Sequence, residues 1–313
     1  MKQNIQMNHT KVSYFILAAY LDPGPLRFLY FSLVLVLLLL IVFCNVLLIA
    51  VICVTRSLHE PMFLFLCSLF ANELLGSSGL FPFLLLQILA DVHRVSAPLC
   101  FLQVFILYLY ASVQLSNLAV MSYDRYLAIC CPLQYKSLMT SSRTGTLLVL
   151  VWFYPLLAVM VLVSLTSSLQ RCGNIIHGVF CDNYSIVKLA CSDTTFINVY
   201  GLAILCLLVV FPALLILYSY SSILRVCLCG SRQTRHKAVS TCTPHLASLL
   251  NFSFGCVFQI VQSRFDMSGV PGVLRVLLSV YYLTCQPLFN PVLYGLNLTK
   301  VRSLCGRMFC GES

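Results

Sequence analysis

Two of the few charged residues in this chain stand together, Asp124 and Arg125, in the stretch MSYDRYLAICCPLQY from Met121 to Tyr135. A carboxylate beside a guanidinium can hold a charge-assisted hydrogen bond, stronger than a neutral one, and such a pair can close and open as a latch. The plainer alternative is an anchor, because Arg and a neighbouring Tyr126 commonly reach for the interface at a helix end. Other polar groups interrupt apolar sequence: Asn45, Glu73, and Asn290 in PLFNPVLY, Pro287 to Tyr294. Pro291 removes one backbone donor and kinks a helix, and Asn290 can bond the freed carbonyls. An ionisable residue inside a membrane is a functional candidate. Asn45, Glu73 and Asn290 are therefore expected to meet as one polar cluster.

These residues need elements to position them, and composition says which. Of 313 residues 60% are hydrophobic and 9% charged, with a mean hydropathy of +0.95, against about 25% charged in soluble domains. Apolar windows of roughly 20 residues or more, enough to cross about 30 Å of hydrocarbon, recur along the chain. Seven are found, near 28–54, 61–89, 99–127, 144–167, 196–227, 238–262 and 272–296. None shows the alternation of a barrel strand, and a span in lipid must satisfy its own backbone. The expected fold is an all-α membrane protein, a seven-transmembrane helix bundle. Cys100 and Arg125 then mark the two ends of the third span, because 25 residues of helix measure about 37 Å.

Sidedness follows from the Lys and Arg residues. With the N-terminus outside, the inner side holds eleven and the outer side eight. The expected domains are an extracellular tail 1–27, the bundle 28–296, and a cytoplasmic tail 297–313. In that tail TKVRSLCGRMFC, Thr299 to Cys310, mixes basic and apolar residues and suits a short amphipathic helix on the inner membrane surface. Cys305 and Cys310 are candidates for palmitoylation there. The first 26 residues are polar and mixed apart from the brief YFILAAY, with no cleavable signal. The formal charge of +10 reads as topology and contact with anionic membrane lipid. Its basic residues are spread over separate loops, so no nucleic-acid partner is expected.

Most of the 17 cysteines lie in spans, but Cys100 and, in the loop from about 168 to 195, Cys172, Cys181 and Cys191 do not. Four cysteines on an oxidising side allow three pairings, and their spacing does not choose among them. Asn8-His9-Thr10 and Asn183-Tyr184-Ser185 are glycosylation sequons, with Asn8 the better placed.

Five motifs in order carry a resemblance: PMFLFLCSLFANE from Pro61, MSYDRYLAICCPLQY, SYSSI from Ser219, KAVSTCTPHL from Lys237 and PLFNPVLY. In these the chain resembles a rhodopsin-type G-protein-coupled receptor, and within that class a vertebrate odorant receptor. Pro244, Asn72-Glu73 and CDNYSIVKLAC are similar to receptors of fishes. Three features depart from the family pattern. Glu73 stands where Asp is usual, which bears on a sodium-like ion site. NFSFG from Asn251 replaces the common aromatic-Tyr-Gly triplet, so the toggle of the sixth span is Phe252 or Phe254. Pro244 is the third.

The resemblance implies disulfides Cys100–Cys181 and Cys172–Cys191, the first shaping a lid over the ligand pocket. It implies a pocket between spans three, five and six, lined by Leu107, Tyr108, Ala111, Ser112, Gly201, Ile204, Leu205, Leu208, Cys256 and Ile260. Leu107 stands where an amine receptor carries Asp, so a protonated amine is not the expected ligand. For activation it implies Asp124, Arg125, Tyr126, Tyr220, Asn290, Pro291 and Tyr294. The partners would be a small-molecule odorant and a stimulatory heterotrimeric G protein that raises cAMP, in the plasma membrane. No catalysis, cofactor or metal is expected. A transporter or channel would show internal repeats and interrupted spans, a retinal pigment a Lys in the seventh span, and a membrane enzyme a clustered His, Asp or Ser constellation. The sequence has none of these, and a receptor for an internal lipid or peptide remains the alternative.

Overall fold

The computed structural model describes residues 12–20, 24–229, 232–264, 270 and 272–297. Gly24, at a φ of 51° that favours glycine, turns the chain into helix α1 (Arg27–Val54). Helix α2 (Pro61–Leu89) opens with Pro61, whose missing N–H is no loss in a first turn. Helix α3 (Ala97–Cys130) follows, then the short α4 (Tyr135–Leu138) and α5 (Ser141–Ser167), whose N-cap Thr140 accepts the Arg143 N–H at 3.3 Å. The one-turn α6 (Asn183–Lys188) lies in the long loop. Helices α7 (Thr195–Leu205) and α8 (Phe211–Cys229) form one rod, joined by a π turn over Cys206–Val210. Helices α9 (Arg232–Arg264) and α10 (Gly272–Asn297) complete the bundle.

Seven long rods result, α1, α2, α3, α5, α7–α8, α9 and α10, close to the windows expected from hydropathy. Among the described residues, five of them are by themselves long and apolar enough to cross a membrane. The other two are α9 and α10. Helix α3 is the most buried of the five and packs against α2, α5 and α8.

The bundle is not wholly helical. YFILAAY, expected only as a brief apolar interruption, supplies strand β1 (Tyr14–Leu17), the centre of a three-stranded sheet. It pairs antiparallel with β2 (Arg94–Ser96), Phe15 opposite Val95, and parallel with β3 (Ile175–Ile176), Ile16 opposite Ile175. Phe15 and Leu17 are buried beneath it with Val104 of α3 and Ile186 of α6. The Arg171 guanidinium lies over the rings of Phe101 and Phe15, at 4.9 and 5.9 Å.

Two disulfides secure the same end. Cys100–Cys181 ties the long loop to α3, and Cys172–Cys191 closes the loop on itself. Within the loop Asp182 caps α6, accepting the Ser185 N–H at 3.0 Å, and the Thr166 hydroxyl donates to Asn183 Oδ1 at 2.7 Å. Burial pushes the Asp182 carboxyl above its ordinary range, and its bonds to Ser185 oppose the shift.

Candidate functional site

Glu73 is fully buried on α2, where an uncompensated charge would be very costly. Three donors converge on it. The Tyr110 hydroxyl donates to Oε2 at 3.0 Å, and Gln114 Nε2 and Asn290 Nδ2 donate to Oε1 at 2.8 and 2.5 Å. Asn72 Nδ2 donates to Gln114 Oε1 at 2.9 Å and to the Tyr110 carbonyl at 3.0 Å, which fixes both partners of the carboxylate. Ser248 of α9 donates to Asn290 Oδ1 at 2.7 Å, and Gln286 Nε2 donates to the Ser248 carbonyl at 3.0 Å. Four helices, α2, α3, α9 and α10, thus meet at one carboxylate.

Gly76 makes room for this: a methyl group there would meet Tyr110 Cδ2 at 2.4 Å. Asn45 does not join the cluster directly. Its amide donates to the carbonyls of Ile41 and Pro287, at 2.8 and 2.9 Å, and so fastens α1 to the carbonyl three residues before Asn290.

At the end away from the disulfides, Asp124 is fully buried and accepts from three groups. Arg125 Nε donates to Oδ2 at 3.0 Å, Arg125 Nη2 donates to the same oxygen, and the Tyr135 hydroxyl donates to Oδ1 at 2.7 Å. Burial, and then the bond to Asp124, push the Tyr135 phenol up, so it remains the donor. The Tyr126 ring lies 6.0 Å from that of Tyr218. Tyr294 is buried against Phe70, its hydroxyl 3.1 Å from His245 Nδ1. Asn290 and Pro291 are both buried one turn away.

Below the loop, Leu107, Ala111, Phe252 and Cys256 share an apolar cluster with Val179 and Phe180 of the loop and Tyr20. Ser112 spends its hydroxyl on the Tyr108 carbonyl at 2.8 Å, and Tyr108 packs toward the cluster under the sheet.

A family model for olfactory receptors matches residues 32–312. The chain is 34% identical over 264 residues to olfactory receptor 52K2 of Homo sapiens, covering 82% of each chain. It is 33% identical over 310 residues to olfactory receptor 1 of Rattus norvegicus, covering 97% of each. The chain belongs to the olfactory receptor family. Its backbone superposes on the crystal structure of squid rhodopsin with a TM-score of 0.73 at 18% identity, over 96% of this chain and 91% of that one, a likeness of fold. Olfactory receptors are G-protein-coupled receptors of the plasma membrane that cross it several times, and they are not enzymes.

Set on this olfactory receptor, the pocket residues implied by the resemblance divide. Leu107, Ser112 and Leu208 are buried, and Tyr108, Ala111, Ile204 and Cys256 are partly so. Gly201 lies on the same side of the rod as Ile204, with open space where a side chain would stand. Leu205 is 43% exposed. The buried face of the fifth span passes through Ile204, Leu208, Pro212 and Ile216 in steps of four, because the π turn takes more residues per turn. That path leaves Leu205 beside the face rather than on it. The Ile260 side chain, Asn8, Cys305, Cys310 and the tail helix lie outside the described residues. Of the two toggle candidates Phe252 is buried in the central cluster, whereas Phe254 is exposed and meets Tyr281 edge-on at 5.6 Å.

Sequence reasoning missed Tyr110, Gln114, Tyr135, His245 and Ser248. A signal for the first two was present: Gln103, Tyr110 and Gln114 recur at seven and four residues in an apolar span, one face of a helix.

Proposed function

We propose that this olfactory receptor binds a small extracellular odorant between spans three, five and six and couples to a stimulatory heterotrimeric G protein, raising cAMP. One observation supports the pocket above the rest. Leu107, Ala111, Phe252 and Cys256 lie in one cluster with Val179 and Phe180, next to the cystine that ties the long loop to α3. A ligand seated there would touch α3, α9 and the loop together, with Ile204 and Leu208 from the fifth span. These residues carry no formal charge, which suits an uncharged, largely apolar ligand.

The disulfide end would face outward and the Asp124–Arg125 end the cytoplasm, in keeping with the Lys and Arg bias. On this reading residues 1–27 are extracellular, 297–313 lie along the inner lipid surface, and the bundle occupies 28–296. Coupling between the ends needs an element with two arrangements that the ligand biases. The Glu73 hub suits that role, because α9 and α10 reach it through Ser248 and Asn290 and carry His245 and Tyr294 at the inner end. The decisive variant is Ala111→Leu, which fills the cluster with an isobutyl group. It should weaken or retune agonist responses in a cAMP assay at unchanged surface level. Unchanged dose-response curves for every agonist would move the pocket elsewhere.

A further inference from the structure

The chain that leaves β1 crosses the disulfide end of the bundle and is fixed there from both sides. The Leu17 N–H bonds the His93 carbonyl at 2.9 Å, and the Ala18 N–H bonds the Ile176 carbonyl at 2.8 Å. Ala19 is buried, and the Tyr20 ring stacks on that of His93, with centroids 4.6 Å apart and planes 24° from parallel. Tyr20 also packs against both apolar clusters at this end, the one beneath the sheet and the one that holds Leu107, Ala111 and Phe180.

Two polar atoms are left over where these elements meet. The Tyr20 hydroxyl is buried with no hydrogen-bond partner among the described residues, and that burial pushes the phenol pKa up. Gln87, buried near the end of α2, donates Nε2 to the Arg94 carbonyl at 3.4 Å, one residue along from His93. That bond orients the amide and leaves Oε1 buried, again without a partner among the described residues. Buried donors and acceptors are nearly always paired in native proteins, and one left unpaired bears the full cost of its lost hydration. A group from outside the chain is therefore needed to satisfy these two. The donor is a phenol O–H and the acceptor an amide oxygen, so the matching group accepts one hydrogen bond and donates one, as a hydroxyl does. Neighbouring charges are engaged elsewhere, Arg94 over the Tyr14 ring at 5.3 Å and Asp91 with Arg27 at 2.9 Å, which suits a neutral group.

We propose that Tyr20 and Gln87 form a hydroxyl-binding subsite that makes the receptor prefer alcohols. The alcohol oxygen accepts from Tyr20 Oη and donates to Gln87 Oε1, while the carbon skeleton lies against the cluster of Leu107, Ala111 and Phe180. The subsite rests on the pocket reading given above, and it makes the segment ahead of α1 a part of ligand selection. A bound water offers the same chemistry, and the experiment separates the two.

Purified full-length receptor in lipid nanodiscs is titrated with volatile linear, cyclic and aromatic alcohols, each beside its methyl ether and its parent hydrocarbon. Binding is read from the concentration at which each probe raises the melting temperature. At least one alcohol should bind about tenfold tighter than its hydrocarbon, the worth of roughly one hydrogen bond. Tyr20→Phe should abolish that preference without lowering the melting temperature of the ligand-free receptor, because the hydroxyl it removes holds nothing in the fold. Gln87→Leu should weaken the alcohols and leave the ethers, which have no proton to donate, as they were. An unchanged preference in Tyr20→Phe, or no preference for any alcohol in the unaltered receptor, means that water alone occupies the two atoms and overturns the proposal. Ala111→Leu, run alongside, tells the two readings apart. If it weakens binding while Tyr20→Phe does not, the pocket stands and the subsite falls; if neither variant affects any probe, the pocket reading falls with it.

Discussion

Replacing Asp124 by Asn tests whether its ion pair holds the receptor at rest. The carboxylate is fully buried and takes three donors, two from Arg125 and one from Tyr135. Removing one partner of a buried ion pair costs about 3–5 kcal/mol. The Arg125 side chain keeps 18% of its exposure, so water recovers part of that and about 2–3 kcal/mol is the better figure here. If the pair forms only in the resting state, the resting-to-active ratio falls about 30- to 100-fold, at about 1.4 kcal/mol per factor of ten. A receptor resting at about 99 to 1 would then stand between about one quarter and one half active. Tyr135→Phe removes one donor to a charged acceptor, about 1.5 kcal/mol, and should give a smaller rise of about tenfold. The assay is basal cAMP divided by surface label, with the order Asp124→Asn, Tyr135→Phe, unaltered receptor. Arg125→Ala should nearly abolish agonist-driven cAMP. Lower surface levels for both latch variants with unchanged signal per receptor would refute the latch and leave an anchor.

Gly76→Ala should lower surface expression by forcing the Tyr110 ring aside and drawing its hydroxyl from Glu73, an overpacking cost of about 1–3 kcal/mol. Gly145→Ala, with open space at the same test position, should leave expression unchanged in the same flow-cytometry measurement. Asp182→Asn keeps the cap on Ser185 and removes a buried acid whose pKa burial raises above the ordinary carboxylate value of 3.8. The native Asp contributes stability below that pH and loses it as pH rises through the raised value. The variant should therefore melt higher than the native receptor at pH 7 and lose less stability between pH 4 and 7. Parallel melting curves across that range would contradict the burial account. Asn183 is nearly buried and bonded to Thr166. Asn8→Gln should thus remove the single glycan shift on a gel, and Asn183→Gln should remove none.

What the sequence disclosed follows the range over which each signal acts. Spans were legible because hydrocarbon thickness sets their length within one local window, and α1, α2 and α10 begin and end within a residue or two of the expected bounds. Glu73 and Asn290 were expected to meet and do so, but Tyr110 and Gln114 look like ordinary packing until α2 is laid against α3. Strand β1 left little trace, because four residues of YFIL acquire a direction only from partners far along the chain. The π turn over Cys206–Val210 was not legible either, because the apolar run CLLVV does not announce it. The resemblance implied the pairs Cys100–Cys181 and Cys172–Cys191, which spacing alone had left among three, and these are the pairs in the structure.

The sheet over the disulfide end has a consequence for the order of biosynthesis. Strand β1 leaves the ribosome before any span, yet β2 is made only after α2, and β3 only after α5. During that interval the central strand of the finished sheet has two open edges and an exposed Phe15, the kind of surface that chaperones retain and that aggregates. Its pairing is therefore a late event, set by the slowest-arriving partner. A receptor stalled before Ile175 emerges would carry that strand unpaired on one edge, however well its first four helices had packed. Epitope tags and leader sequences added for expression consequently act on the last step of maturation as well as the first. The length of polar chain they place ahead of Tyr14 should govern yield more than their effect on insertion.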